Sequence, residues 1–125
     1  MAKKLKFVLT VVLAAVVLFA GSQNNRAEAY EEYVGEFNTG YSVYLLTESV
    51  SRLNSYNRAF TCTVKATYYG DVSYIYYTFV FDGMWRYTNS EGTSVTVTRR
   101  SRPVAKNILY KVSSMYGWPD PSNYF

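Results

Sequence analysis

The sequence predicts an α+β domain: an antiparallel five- to six-stranded meander sheet with one C-terminal helix packed on a face, preceded by a signal peptide. Three observations predict this fold. Residues 32–99 form short runs of alternating apolar and polar residues separated by turn residues, which is typical of strands joined by hairpins. After residue 103 the apolar residues follow the spacing of a helix instead. The first 29 residues have the layout of a secretory leader.

Residues 1–29 are the predicted signal peptide. Three lysines precede an apolar run over 7–20 that only Thr10 interrupts, and Ala27-Glu28-Ala29 places small residues where a signal peptidase reads them. The alternative is a membrane anchor, which needs about 20 apolar residues, but polar residues begin at Ser22. We therefore expect cleavage after Ala29 and export to the periplasm, the cell surface or the medium. The processed chain is expected to have no membrane span.

Residues 30–125 are predicted to form a single β-rich α+β domain. Four of the 13 basic and one of the nine acidic residues lie in the leader, so this domain carries nine and eight, a net charge of +1. Such a balance gives no reason to expect a nucleic-acid partner. All 14 tyrosines follow Ala29. They favour either ordinary sheet packing or a tyrosine-lined face that binds a partner.

The first two strands are predicted from alternation around a polar turn. Residues 32–37 read as an edge strand, Asn38-Thr39-Gly40 as a turn, and 41–47 as the second strand. Residues 47–57 carry serine, asparagine and arginine and fit either a continued strand or a helical turn.

The third strand has the cleanest alternation in the chain, over residues 58–69. It places Cys62 on one face with Phe60, Val64 and Ala66, so we expect a buried, inert thiol rather than a reactive one. Since this is the only cysteine, no internal disulfide is possible. Gly70-Asp71 is then predicted to be a two-residue hairpin turn.

The fourth strand is predicted over 73–81, and both of its faces are apolar or aromatic, so we expect cover on both sides. Asp82-Gly83 marks the next hairpin. Shorter strands are predicted over 84–88 and 93–99, with Val95 and Val97 facing inward.

The closing helix is predicted from an apolar stripe and from residues that begin and end helices. Ser101 fits the N-cap, Pro103 the first turn and Gly117 the C-terminal end. Residues 118–125 have no period and are either packed through their aromatic rings or loose. The stripe consists of Val104, Ala105, Ile108, Leu109, Val112 and Met115.

The residue types exclude most catalytic chemistry. The chain has no histidine and one cysteine, so it lacks the residues for a Ser-His-Asp or Cys-His triad and for zinc or iron–sulfur sites. It contains no phosphate-binding glycine motif and no EF-hand loop. We therefore expect no catalytic residue, no metal and no cofactor. The enzymatic alternative is a carboxylate-dependent polysaccharide hydrolase, which needs two facing carboxyl groups.

Two sets of residues are candidates for binding a partner. Tyr74 and Tyr76 lie together on one face of the fourth strand, and tyrosine is enriched at binding hot spots. Arg99, Arg100 and Arg102 form a basic cluster before the helix, where an anion or an acidic partner could bind. The alternative for the arginines is a solvated strand-to-helix corner.

Two short segments resemble known exported proteins. Residues 44–50, Tyr-Leu-Leu-Thr-Glu-Ser-Val, resemble an element of small exported bacterial proteins of the surface-adhesin protein E type. Residues 104–108, after Ser-x-Pro, resemble the closing helix of exported proteins from Firmicutes with a Gram-negative-type envelope. The resemblance implies an antiparallel sheet packed by helix and binding to host or matrix proteins at a cell surface. It transfers no functional residue.

These observations predict an exported, non-catalytic binding domain whose partner is a protein or glycan at the envelope or outside the cell. One alternative is an envelope inhibitor or accessory factor that binds another protein through the arginine cluster. The hydrolase is the second alternative.

Overall fold

The computed structural model of the chain describes residues 31–55 and 57–125, so the predicted leader at 1–29 lies outside the described residues. Strands and helices follow one another in a simple order. The strands are β1 (Glu31–Glu36), β2 (Ser42–Arg52), β3 (Ala59–Tyr68), β4 (Asp71–Phe81), β5 (Trp85–Asn89) and β6 (Ser94–Thr96). The helix α1 spans Pro103–Tyr116, and a short 3₁₀-helix spans Pro121–Tyr124.

Each strand pairs antiparallel with the next, so the order across the sheet is the order along the chain. This six-stranded meander with one C-terminal helix on a face confirms the predicted α+β architecture. Connections of this kind need only short turns, because antiparallel neighbours can be joined by tight hairpins.

Helix α1 lies along β1 and β2 and buries an apolar stripe against the inward side chains of the sheet. It begins beside Gly35, where an added Cβ would lie 3.5 Å from Val104 Cγ2. Further along the helix, Lys111 forms a 3.2 Å ion pair with Glu32, so α1 runs antiparallel to β1. The buried stripe is Val104, Ala105, Ile108, Leu109 and Val112.

The C-terminal segment covers the part of the sheet that α1 does not reach. Trp118 packs against Phe60 and Trp85, with ring centroids 6.1 and 5.9 Å apart. Tyr124 packs edge-on against Phe81 at 4.8 Å. The tail is therefore packed through its aromatic rings, which settles the open alternative for residues 118–125.

Two arginines fix this aromatic segment to the strands. The Arg58 guanidinium lies 4.2 Å from the ring centre of Phe81 and 5.3 Å from that of Tyr124. The Arg52 guanidinium lies 5.2 Å from the ring centre of Trp118. Such cation–π contacts contribute about 0.5–2 kcal/mol each, so they add to the apolar packing of the tail.

The turn between β3 and β4 differs by one residue from the prediction. Tyr68 pairs with Asp71, so the two turn residues are Tyr69 and Gly70 rather than Gly70 and Asp71. Both have positive φ, 47° and 84°, as a type I′ turn requires. Gly70 adopts positive φ at no steric cost. Tyr69 has a Cβ and therefore bears backbone strain at positive φ, but its side chain is exposed.

Residues 47–52 continue the second strand. The pairing of β2 with β3 is interrupted between Leu46 and Ser51 and then resumes. Ser49 bridges the interruption: its hydroxyl donates to the Leu46 carbonyl at 2.6 Å and accepts from the Thr63 amide at 2.8 Å. Ser49 thus supplies hydrogen-bond partners to the Leu46 carbonyl and the Thr63 amide where the ladder is interrupted.

The expectation that β4 is covered on both sides is wrong. Ile75, Tyr77 and Phe79 are buried in the core, but the other face is open, with Tyr74 63% and Tyr76 50% exposed. The described chain supplies covering elements for only one face of the sheet, and tyrosine tolerates the open face because its hydroxyl remains in water.

Both ends of the helix were predicted correctly, but the predicted N-cap and one predicted buried position are wrong. Ser101 does not cap α1; its hydroxyl accepts from the Thr98 amide at 2.8 Å, and Arg102 precedes the helix without a side-chain cap. Gly117 ends α1 in the left-handed conformation, as predicted. Met115 is 48% exposed, because Tyr116, one residue further on, packs against the core instead.

The two edges of the sheet are protected in different ways. At β1, the Asn107 side-chain amide donates to the Val34 carbonyl at 2.9 Å, so the helix occupies a backbone group of the edge strand. At the other edge, β6 is only three residues long, Ser94–Thr96, rather than the predicted 93–99. Short or covered edges reduce pairing with other chains.

Ser113 offers a direct test of the packing under α1. Its hydroxyl is buried and has no hydrogen-bond partner among the described residues. We expect Ser113→Ala to raise the free energy of unfolding by about 1 kcal/mol or more, since a buried unsatisfied group is removed. The matched control is Ser114→Ala, which makes the same helical substitution at an exposed position. Equal effects of the two substitutions in urea unfolding would contradict the assigned burial.

Cys62 predicts how stability depends on pH. The thiol is fully buried between β2 and β4, and burial raises its pKa from 9.0 to about 12. Above about pH 9 the unfolded chain loses this proton while the folded chain keeps it, so the free energy of unfolding falls as pH rises. From about pH 8 to about pH 10 the thiol alone accounts for about 1.4 kcal/mol of this fall.

The measurement is denaturant unfolding of the wild type and Cys62→Ala at both pH values. The substitution creates a small cavity and lowers stability throughout, but we expect a shallower pH slope because the titrating thiol is gone. Tyrosine ionisation contributes equally to both proteins. A slope unchanged by the substitution would show that the thiol is not buried as described.

Candidate functional site

Tyr74 and Tyr76 lie on the face of β4 that points away from α1. Their inward neighbours Ile75 and Tyr77 are buried, which fixes the alternation along the strand. The two rings therefore present large, amphipathic surfaces to solvent from a rigid strand. Rigid placement matters for binding, because little conformational entropy is lost when a partner contacts the rings.

Cross-strand pairing brings two further tyrosines to the same face. Lys65 pairs with Tyr74 on one side and with Tyr44 on the other, and Tyr44 pairs with Tyr33 of β1. The rings of Tyr33 and Tyr44 meet edge to face at 5.6 Å. We call this surface the tyrosine face and define it as Tyr33, Tyr44, Tyr74 and Tyr76.

The centre of the tyrosine face is close to electrically neutral. The Lys65 ammonium forms a 2.6 Å ion pair with Glu31 and lies 5.7 Å from the ring centre of Tyr44. The residues beside Tyr76 in the same row are Thr63 and Leu46, which carry no charge. Protein interfaces have this composition at their centres, where tyrosine is enriched and charge is depleted.

A free strand edge borders the tyrosine face. β5 pairs with β4 only from Tyr77 onward, and Ser90 hydrogen-bonds the backbone of Tyr76 through its amide and its hydroxyl. In this register the backbone groups of Val72 and Tyr74 also point away from β3. Within residues 31–55 and 57–125 they have no hydrogen-bond partner. Unpaired edges of this kind accept an added strand.

The arginine cluster occupies a different part of the molecule. Arg99 and Arg100 form the exposed turn after β6, and Arg102 is the exposed residue before α1. The Lys106 ammonium donates to the Arg99 carbonyl at 2.9 Å, and none of the three arginines takes part in the ion pairs of the described residues. The structure therefore places them at a solvated corner, two strands away from β4.

Several carboxylates have structural roles. Besides the pair of Glu31 with Lys65, Asp82 pairs with Arg86 at 3.1 Å and Glu32 pairs with Lys111. Asp120 accepts from the Ser122 amide, which lowers its pKa. In the described part of the chain, no group of three or more acidic or cysteine side chains is placed to hold a metal ion.

Part of this site was not predicted from the sequence. Tyr74 and Tyr76 were predicted to lie on one face, but Tyr33, Tyr44 and Lys65 join them only through the pairing register between strands. The signal that could have found Lys65 is the hairpin at 69–70: once that turn is set, residue 65 must face residue 74.

No protein-family model, curated protein or solved structure matches this chain. The resemblance to exported adhesins of the protein E type therefore stays a hypothesis. None of the helices described in residues 31–125 is long and apolar enough to cross a membrane.

The exposure of the tyrosine face predicts which substitutions the fold tolerates. We expect Tyr74→Thr and Tyr76→Thr each to lower the free energy of unfolding by about 1 kcal/mol or less, because threonine suits a strand and only cross-strand contacts are lost. The control is Tyr77→Thr, which we expect to cost about 3 kcal/mol or more, since Tyr77 is 3% exposed. Unfolding of the domain by either outward substitution would place those rings in the core.

Proposed function

We propose that this chain is an exported, non-catalytic binding domain that takes up an extended segment of another protein at the cell envelope or outside the cell. The segment adds to the sheet along the free edge of β4 at Val72 and Tyr74. Its side chains then contact Tyr74 and Tyr76 on the tyrosine face. In this mode backbone hydrogen bonds provide affinity and side-chain contacts provide specificity.

The observation that carries the proposal is the position of exposed rings beside unpaired backbone groups. Tyr74 contributes both, since its ring is 63% exposed and its backbone groups face the free edge. A neutral centre favours a partner segment with few charges, because an unpaired charge buried there would have to be desolvated. Secretion is part of the proposal and rests on the leader at 1–29.

Three variants of the purified protein separate the proposal from the arginine alternative. Val72→Pro removes one donor from the free edge without touching the pairing to β3, and Val72→Thr is its control. A variant carrying Tyr74→Thr and Tyr76→Thr removes the exposed rings. A third variant reverses the charge of Arg99, Arg100 and Arg102 by substitution with glutamate.

We expect envelope and extracellular extracts to yield proteins that bind the wild type, Val72→Thr and the arginine variant. The same proteins should be reduced at least about tenfold on Val72→Pro and on the tyrosine variant, as expected for loss of about 1.4 kcal/mol of binding energy. The measurement is quantitative mass spectrometry of captured proteins. Capture lost only from the arginine variant would overturn the proposal and favour the inhibitor alternative.

A further inference from the structure

A concave site lies on the opposite side of the sheet from the tyrosine face. It opens between the β1–β2 turn and the β5–β6 turn, where α1, which begins beside Gly35, no longer covers the strands. Its volume is about 390 Å³. Small-molecule sites have volumes of about 300–1,000 Å³, so this pocket is large enough for a small ligand.

Four aromatic side chains line this pocket: Phe37, Tyr41, Tyr77 and Tyr87. The rings of Tyr77 and Tyr87 lie 5.3 Å apart at 54° to one another. Burial raises the pKa of both hydroxyls, so the rings stay neutral at physiological pH. Neutral aromatic rings offer electron-rich faces, which attract organic cations.

The charge in the pocket lining is negative. Glu91 is the charged residue of the lining, which contains no lysine or arginine. A second carboxylate lies just outside, since the Tyr41 hydroxyl donates to Asp71 at 2.5 Å. A cation inside the pocket therefore meets the Glu91 carboxylate and no competing ammonium or guanidinium from the lining, while Asp71 adds negative charge beside Tyr41.

We propose that this pocket binds a small organic cation, an alkylated ammonium group, against the aromatic rings, with Glu91 supplying the opposite charge. The Asn89 side-chain oxygen accepts from the amides of Glu91 and Thr93 at 3.0 and 3.1 Å, so it holds the turn that carries Glu91. The site goes beyond the proposed function, because its residues face the helix side of the sheet and not the tyrosine face. Either proposal can fail without the other.

The test is an NMR titration of the purified protein with choline and with its neutral isostere 3,3-dimethyl-1-butanol. The two molecules share size and shape and differ in charge. We expect choline to shift the amide signals of the pocket residues in a saturable way and the isostere to bind about tenfold more weakly. Glu91→Lys should weaken choline at least about fivefold, while Glu48→Lys, at an exposed site on β2, should leave it unchanged.

Glu91 lies in an exposed turn, so its substitution leaves the core intact and we expect the variant to fold. Equal affinity for the isostere would overturn the proposal, because shape alone would then explain binding. So would the absence of saturation up to about 100 mM choline. Tighter binding of a neutral methyl glycoside would also overturn it and assign the pocket to sugars.

Discussion

A single apolar layer on one side of the sheet holds this domain together. The layer is built from the buried stripe of α1 and from the aromatic tail that ends in Tyr124 and Phe125. The one cysteine is buried as a thiol, so no disulfide supports the described fold, and packing must supply the stability. Because all the covering elements lie on one side, the other face of the sheet has to be compatible with water.

Tyrosine occurs on both the buried and the exposed face of the sheet. Tyr76 and Tyr77 are neighbours in sequence, yet one is 50% exposed and the other 3%. The buried ring packs against Phe79 and Tyr87, and the exposed ring keeps its hydroxyl in solvent. A phenylalanine-rich face in the same place would expose a fully apolar patch, whereas tyrosine and threonine place hydroxyl groups in water.

Alternation and helical spacing predicted the strands and the helix because both are local signals. They did not predict that β4 is covered on one side only, since Tyr74 and Tyr76 have the same chemistry as the core residue Tyr77. The cap at Ser101 failed because its hydroxyl accepts from the Thr98 amide instead, and the turn was misplaced by one residue because Tyr69 adopts the positive φ that the prediction gave to Asp71. The positions of Tyr74 and Tyr76 on one face of β4 were predicted from local alternation. Lys65 was not predicted to join them, because its place depends on the pairing register between strands. The pocket was not predicted either, because it depends on where α1 begins.

The unequal lengths of neighbouring elements concentrate the uncovered surface at one end of the sheet. β4 begins six residues before its first pairing with β5 at Tyr77, and α1 begins only beside Gly35. Ser73 lies where these two gaps meet: its side chain lines the pocket, and the backbone groups of its neighbours Val72 and Tyr74 form the free edge. A strand added along that edge would therefore build a further wall of the pocket.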